Sequence, residues 1–218
     1  MGRHMTEQLA NMRVDYRNEG FDVGQLAPTW HEQLATWLAE AETDGVVEAN
    51  AMVLATAGDD GRPSSRTVLC KGLDARGVVF YTNYTSAKSH DLRSTRYASA
   101  TFPWYAQHRQ VHVRGSVQLV DQAETRAYWE SRPRGSQLGA WASAQSAPVR
   151  DRRVLDDALA GITQRFGGDL VPVPPHWGGW RIVPDQVEFW QGRTDRMHDR
   201  LRFEVGRDRG WTVRRLAP

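Results

Sequence analysis

A single cysteine, Cys70, excludes an intramolecular disulfide framework and any metal site assembled from several thiolates, so structural zinc is not expected. Long apolar runs are missing too. None approaches the ~20 residues that cross a bilayer, and no basic, apolar, small-residue sequence opens the chain as a secretory signal would. A cytoplasmic protein is expected. Charge of one sign is lacking: 28 basic residues stand against 26 acidic ones, and the two signs intermingle, as in Arg150-Asp151-Arg152-Arg153 followed by Asp156-Asp157. That excludes a nucleic-acid stripe. Both the dinucleotide Gly-x-Gly-x-x-Gly and the phosphate-loop Gly-Lys-Ser/Thr patterns are absent, which argues against a doubly wound nucleotide fold. A phosphate ligand would need side-chain anchors instead. Lysine is almost absent, for all the basic residues except Lys71 and Lys88 are arginine. A compact ammonium suits a point contact to phosphate or a polar ring atom where a forked guanidinium need not fit, so both lysines are candidates.

What remains is ordinary soluble composition, 40% hydrophobic and 25% charged over 218 residues, enough for one packed core. Residues 1–5 read as an expression remnant, 6–27 as a polar N-terminal arm and 28–218 as a single domain. Trp30, Leu34, Trp37, Leu38 and Ala41 fall at helical spacing, and Thr29 with Glu32 forms a capping-box pattern. The period then changes. Residues 51–56, 63–71, 78–82, 98–104 and 109–119 are short β-rich segments, several separated by turn residues such as Asp59-Asp60-Gly61. In the last of them Val111, Val113, Val117 and Leu119 alternate, predicting one buried face, with Gly115 at a bulge position. Helical spacing returns over 121–131 and through Leu155, Leu159, Ile162 and Phe166, before strand-like segments at 180–190, 200–205 and 211–215. The expected class is α+β, an antiparallel sheet closed into a barrel with flanking helices.

Three constellations could carry chemistry. Arg196, His198 and Arg200 occupy every second residue; if extended at ~3.3 Å per residue they face one way, able to lean over a planar ligand. A solvated edge strand is the plain alternative. Tyr128 and Arg132 share a face where a helix ends, Pro133 turns the chain, and Ser136 can cap a segment reaching Trp141. Phenol, guanidinium and hydroxyl on one turn suit a phosphate monoester, and a capped helix junction with an exposed arginine is the plain alternative. The third set is Arg66 to Lys71 with Tyr81, Thr82 and Lys88; parity puts Arg66 and Lys71 on opposite strand faces, so a shared ligand demands a break in the strand. Ser86 precedes a helix expected through Arg96. Of nine tryptophans, Trp190 is the one singled out beside polar motif residues. His108, His112 and His176 lack metal-ligand spacing and read as structural or exposed; no metal is expected.

Taken in order, Arg66 to Lys71, Phe80-Tyr81-Thr82-Asn83, Phe102-Pro103-Trp104, Arg109-Gln110-Val111, Ser131-Arg132-Pro133-Arg134, Gln137 to Trp141, Trp177-Gly178-Gly179 and Glu188 to Gly192 ending in Arg196 to Arg200 closely resemble the pyridoxine (pyridoxamine) 5′-phosphate oxidases. The resemblance spans nearly the whole chain. It implies an α+β, antiparallel FMN-binding split β-barrel with flanking helices, in a homodimer with FMN between the subunits. It places cofactor contacts on Arg66, Thr67, Val68, Leu69, Cys70, Lys71, Tyr81, Thr82, Lys88, Gln110, Gln145, Ser146, Trp190 and Arg200. Substrate contacts fall on Lys71, Tyr128, Arg132 and Ser136 for the phosphate, on Arg196 and His198 as the catalytic pair, and on Arg13 and Tyr16 from an arm that closes in relatives. Ala87 departs from the pattern, which often has arginine there, leaving Lys88 and Arg66 with more to do. The implied reaction oxidises pyridoxine or pyridoxamine 5′-phosphate to pyridoxal 5′-phosphate, with dioxygen reoxidising the flavin and yielding hydrogen peroxide. A split-barrel flavin or deazaflavin-dependent reductase and a non-catalytic flavin or vitamin-phosphate carrier are the alternatives.

Overall fold

The computed structural model describes residues 8, 9, 11, 12, 15, 16 and 18–218; Arg13 and residues 1–5 lie outside the described residues. In chain order the elements are α1 (Trp30–Thr43), β1 (Ala51–Ala57), β2 (Pro63–Leu69), β3 (Gly72–Asp74), β4 (Gly77–Asn83), α2 (Ala87–Thr95), β5 (Tyr97–Trp104) and β6 (Arg109–Leu119). They continue as α3 (Gln122–Glu130), α4 (Arg134–Ala142), α5 (Arg152–Phe166), β7 (Trp177–Gln191), β8 (Asp199–Val205) and β9 (Trp211–Arg215). No helix among the described residues is long and apolar enough to cross a membrane. The chain divides into two compact units, one holding the described residues up to Ala49 with 103–112 and 186–218, the other 50–102 with 113–185.

In the first unit, the Thr29 hydroxyl accepts from the Glu32 amide at 3.4 Å and donates to the Glu32 carboxylate at 2.7 Å, starting α1 where the capping pattern predicts. Trp30, Leu34, Trp37 and Ala41 form the buried stripe of α1. Trp37 packs on Phe21, Phe189 and Trp104 at ring separations of 4.9, 5.3 and 6.4 Å. Residues 186–191 of β7 pair antiparallel with β8, and β8 with β9.

The strand order is β2-β1-β5-β6-β7-β4-β3, and every register recorded within the second unit is antiparallel. Strand β1 alternates strictly, burying Met52, Leu54 and Thr56. The segment expected as one strand over 63–71 ends at Leu69. Cys70 N donates to Asn50 O, and Lys71 N donates to Val79 O, so the backbone passes from pairing beside β1 to pairing with β4. This handover supplies the break that parity demands between Arg66 and Lys71. In β6 the buried alternation covers Val111, Val113 and Gly115, but Leu119 is exposed, against expectation; the strand ends there and Val120 turns inward instead, its amide bonding Gly179 O. Gly115 is a close-approach position, because a Cβ would stand 2.0 Å from Val183 O. Gly115→Ala should therefore lower stability by about 2 kcal/mol or more in urea denaturation, and a neutral result would contradict this packing.

The helices hang on small polar caps. Asp121 accepts from the Glu124 amide to start α3, and Asp151 accepts from Val154 to start α5. A cluster of Trp129, Leu138, Phe166, Val171 and Trp177 holds α3, α4 and α5 against the start of β7. The Arg181 guanidinium, almost wholly buried, bonds Asp74 Oδ1 at 3.0 Å and both Glu124 oxygens at 2.7 and 2.9 Å, tying the first turn of α3 to β3 and β7.

Candidate functional site

Twelve of the sequence-derived residues line one cavity of about 480 Å³ in the second unit: Arg66, Thr67, Val68 and Leu69 from β2, Lys71 from the link between β2 and β3, Tyr81 and Thr82 from β4, Lys88 from α2, Tyr128 from α3, and Arg132, Gln145 and Ser146. Lys88 is buried, and its Nζ donates to Gln145 Oε1 at 2.9 Å and to Thr82 Oγ1 and Ser86 Oγ at 3.3 Å. All three partners are neutral oxygens. Burial, then the nearby Arg66 charge, push its pKa below the ordinary lysine range. Arg66 donates to Thr56 Oγ1 at 2.6 Å and to Ser64 Oγ at 2.8 Å, and Thr56 donates onward to Asp91 at 2.6 Å. Burial lowers the Arg66 pKa, opposed by Asp91. No ion pair is recorded for Arg66, Lys71, Lys88 or Arg132 among the described residues. Cations without carboxylates in its lining give this cavity a positive character suited to an anion.

Arg132 and Ser136 line a second cavity of about 280 Å³ that shares Tyr81, Thr82, Arg132 and Gln145 with the first. The Arg132 guanidinium lies 4.7 Å from the Trp177 ring centre and donates to Ser136 O at 3.0 Å, while its buried Nε has no partner. Burial lowers the Arg132 pKa, with Tyr128 opposing. The Tyr81 and Tyr128 rings stack at 4.1 Å, and burial, then Glu124, push the Tyr81 phenol up to about 12. It stays protonated at neutrality. Ser136 does not cap its helix as expected: α4 begins at Arg134 behind Pro133, and Ser136 sits inside the first turn.

In the first unit, Tyr16, Trp190, Arg196 and His198 line a cavity of about 670 Å³ together with Met12, Asp15, Arg193 and Asp195. The period-two reading of Arg196, His198 and Arg200 as one extended strand is corrected. Thr194–Arg196 is a 3-10 turn in which Asp195 and Arg196 both take left-handed backbone, with φ of 53° and 58°, and β8 starts only at Asp199. Arg196 and His198 still share the cavity; Arg200 instead pairs with Glu188 at 2.8 Å. The Arg193 amide donates to His198 Nδ1 at 3.1 Å, so the neutral imidazole carries its proton on Nε2. The His198 and Trp190 rings lie 4.6 Å apart. Burial, then Arg196, hold the His198 pKa below its usual value.

Cys70, Gln110 and Arg200 line none of these cavities: the Cys70 thiol is buried and donates to Gly72 O, and Gln110 is exposed on β6. Nothing in the sequence marks Thr56 and Asp91 as supports of Arg66, or Trp177 as the surface beneath Arg132. Their separations in the chain match no local spacing. Arg193 could have been suspected as one more cation inside the motif running from Glu188 to Arg200.

Residues 38–166 match the family Pyridoxamine 5′-phosphate oxidase, and residues 177–218 match the Pyridoxine 5′-phosphate oxidase C-terminal dimerisation region. The chain is 65% identical to a pyridoxine/pyridoxamine 5′-phosphate oxidase of Saccharopolyspora erythraea, covering 98% of this chain and 96% of that one. It is 55% identical to a protein of the same name from Mycobacterium sp. (strain KMS), with 97% of each covered. Among solved structures, PhzG from Burkholderia lata 383, in complex with tetrahydrophenazine-1-carboxylic acid, is similar with a TM-score of 0.87 at 32% identity, over 94% of this chain and 100% of that one. A pyridoxamine 5′-phosphate oxidase-related, FMN binding protein from Nostoc punctiforme shares the fold, with a TM-score of 0.73 at 20% identity, over 89% and 100%. The fold class is the antiparallel split barrel with flanking helices.

Proposed function

Because the chain belongs to the pyridoxamine 5′-phosphate oxidase family, we propose that it oxidises pyridoxine 5′-phosphate and pyridoxamine 5′-phosphate to pyridoxal 5′-phosphate, with FMN as cofactor and dioxygen as electron acceptor. The observation that carries this reading is the convergence of Arg66, Lys71, Lys88 and Arg132 on one cavity, with a buried ammonium bonded only to neutral oxygens. Such a cavity fits a phosphorylated flavin and leaves the orphaned Arg132 Nε for a second phosphate.

Lys88, Arg66, Thr82, Gln145 and Ser146 are assigned to FMN, with β2 from Thr67 to Leu69 along it. When bound, FMN supplies the acceptor for hydride from the exocyclic carbon and passes the electron pair to dioxygen, giving hydrogen peroxide. Tyr128, Arg132, Ser136 and Lys71 grip the ester phosphate, away from the carbon that reacts, so binding energy there serves positioning. Arg196 covers and orients the pyridine ring. His198, neutral with its proton on Nε2, orients the same ring and assists proton movement. The match to a dimerisation region supports a homodimer; FMN held between its subunits and action in the cytoplasm complete the proposal.

The lowered His198 pKa has a sign that kinetics can read. If the neutral ring is the active form, kcat/KM stays flat as pH falls to the ordinary histidine value of ~6.5 and declines only below it. The acid limb should vanish in His198→Asn. An acid limb centred above that value, or one surviving the substitution, contradicts the assignment.

Mixing the FMN-loaded protein in air with each ester, and following aldehyde and peroxide together, tests the reading. Equimolar peroxide and pyridoxal 5′-phosphate are expected. Binding without peroxide would mark a carrier, and reduction of some other substrate without ester oxidation would mark a reductase.

A further inference from the structure

We infer that His108 is a positioning residue, forming with Gly192 and Asn18 the seat that holds the Tyr16 ring beside Trp190 and His198. The inference rests on the proposed oxidase reading and on the substrate contact that the family resemblance implies for Tyr16. The Tyr16 ring lies 4.2 Å from the His108 ring at an interplanar angle of 32°, edge-on to Trp190 at 6.2 Å and 5.7 Å from His198. Tyr16 lines the cavity that contains Arg196 and His198, whereas His108 does not. His108 therefore acts through Tyr16.

Three features build the seat. A Cβ on Gly192 would stand 2.6 Å from Tyr16 Cδ2 and 3.0 Å from His108 Cβ, so only the bare glycine lets the phenol lie down here. The Gly192 amide donates to His108 O at 2.8 Å, binding the two halves of the seat to each other. Asn18 Nδ2 then donates to Gly192 O at 3.2 Å and to Gln107 O at 3.3 Å, pinning the chain two residues after Tyr16 to both halves. His108 itself takes left-handed backbone, φ 52°, at the end of the 3-10 turn Tyr105–Gln107. That conformation, uncommon for a residue with a side chain, aims the imidazole at the arm. Nothing in the metal-ligand spacing that dismisses His108 from the sequence speaks to this role.

The test uses the full FMN-loaded chain and the variants His108→Ala, His108→Phe, Tyr16→Ala and the His108→Ala/Tyr16→Ala pair. His108→Ala should raise KM for pyridoxine 5′-phosphate about three- to tenfold, the range of one lost ring contact, and leave kcat within about twofold. His108→Phe should restore KM. In the Tyr16→Ala background, His108→Ala should add nothing, since the ring it holds is gone. Without substrate, amide exchange at Tyr16 and Asn18 should quicken in His108→Ala. Unchanged exchange, or additive losses in the double variant, overturns the inference and leaves the Tyr16 reading intact. Faster exchange with unchanged KM supports the seat and overturns the role of Tyr16 at the substrate.

Discussion

Exchanging Arg132 for methionine should lower kcat/KM for pyridoxine 5′-phosphate about a hundredfold, with FMN affinity and folding stability unchanged. The expectation follows from what the guanidinium does without a substrate. It spends one N–H on Ser136 O and packs over Trp177, but its buried Nε has no acceptor, and burial already works against its charge. A phosphate would satisfy that donor and compensate the charge. Losing a charged hydrogen bond of ~1.5–3 kcal/mol accounts for a change of this size. Methionine, of similar reach and apolar, can cover the tryptophan ring that the guanidinium covers, which is why folding should survive. Arg132→Lys, with charge but no fork, should fall between the two. The comparison that isolates phosphate recognition is the unphosphorylated alcohol, whose poor turnover should hardly change. Loss of FMN in place of ester discrimination would contradict the assignment.

Lys88→Met should weaken FMN binding about a hundredfold and yet leave the FMN-free protein as stable as before, or more so. A buried ammonium bonded only to Gln145, Thr82 and Ser86 oxygens, with Arg66 nearby, is a cost to the empty fold. Methionine of similar length removes that cost along with the attraction for an anion. Urea denaturation without cofactor and fluorescence titration with FMN should therefore move in opposite directions. At a saturating FMN concentration the variant should lose ~2.7 kcal/mol of ligand-linked stability, the equivalent of the affinity change. Ala87 gives the position added weight, because no arginine stands beside Lys88 to share the load. A destabilised FMN-free protein with undiminished affinity would show that Lys88 is structural.

The elements were legible where a repeating pattern meets a buried face. Strand β1 buries every second residue and α1 buries Trp30, Leu34, Trp37 and Ala41, so periodicity alone located both. Legibility failed where backbone geometry overrides pattern. The alternation from Arg196 to Arg200 looks like a strand, but two successive left-handed residues, neither of them glycine, coil the first part into a turn. Ser136 resembles a cap, although Pro133 lets the helix begin earlier. The cationic residues of the cavity were visible through the scarcity of lysine and through family resemblance. Their supports were not: Thr56 and Asp91 reach Arg66 from a different strand and from a helix, and Trp177 reaches Arg132 from the start of β7. Contacts between residues so far apart in the chain leave no trace in local sequence.

The central claim is that the phosphate ester is oxidised directly at the expense of bound FMN. Anaerobic mixing of the FMN-loaded protein with pyridoxine 5′-phosphate reads this in one turnover. The visible flavin band should bleach as one equivalent of aldehyde forms, and return with peroxide when air is admitted; an ester that binds while the band stays unchanged would contradict the account.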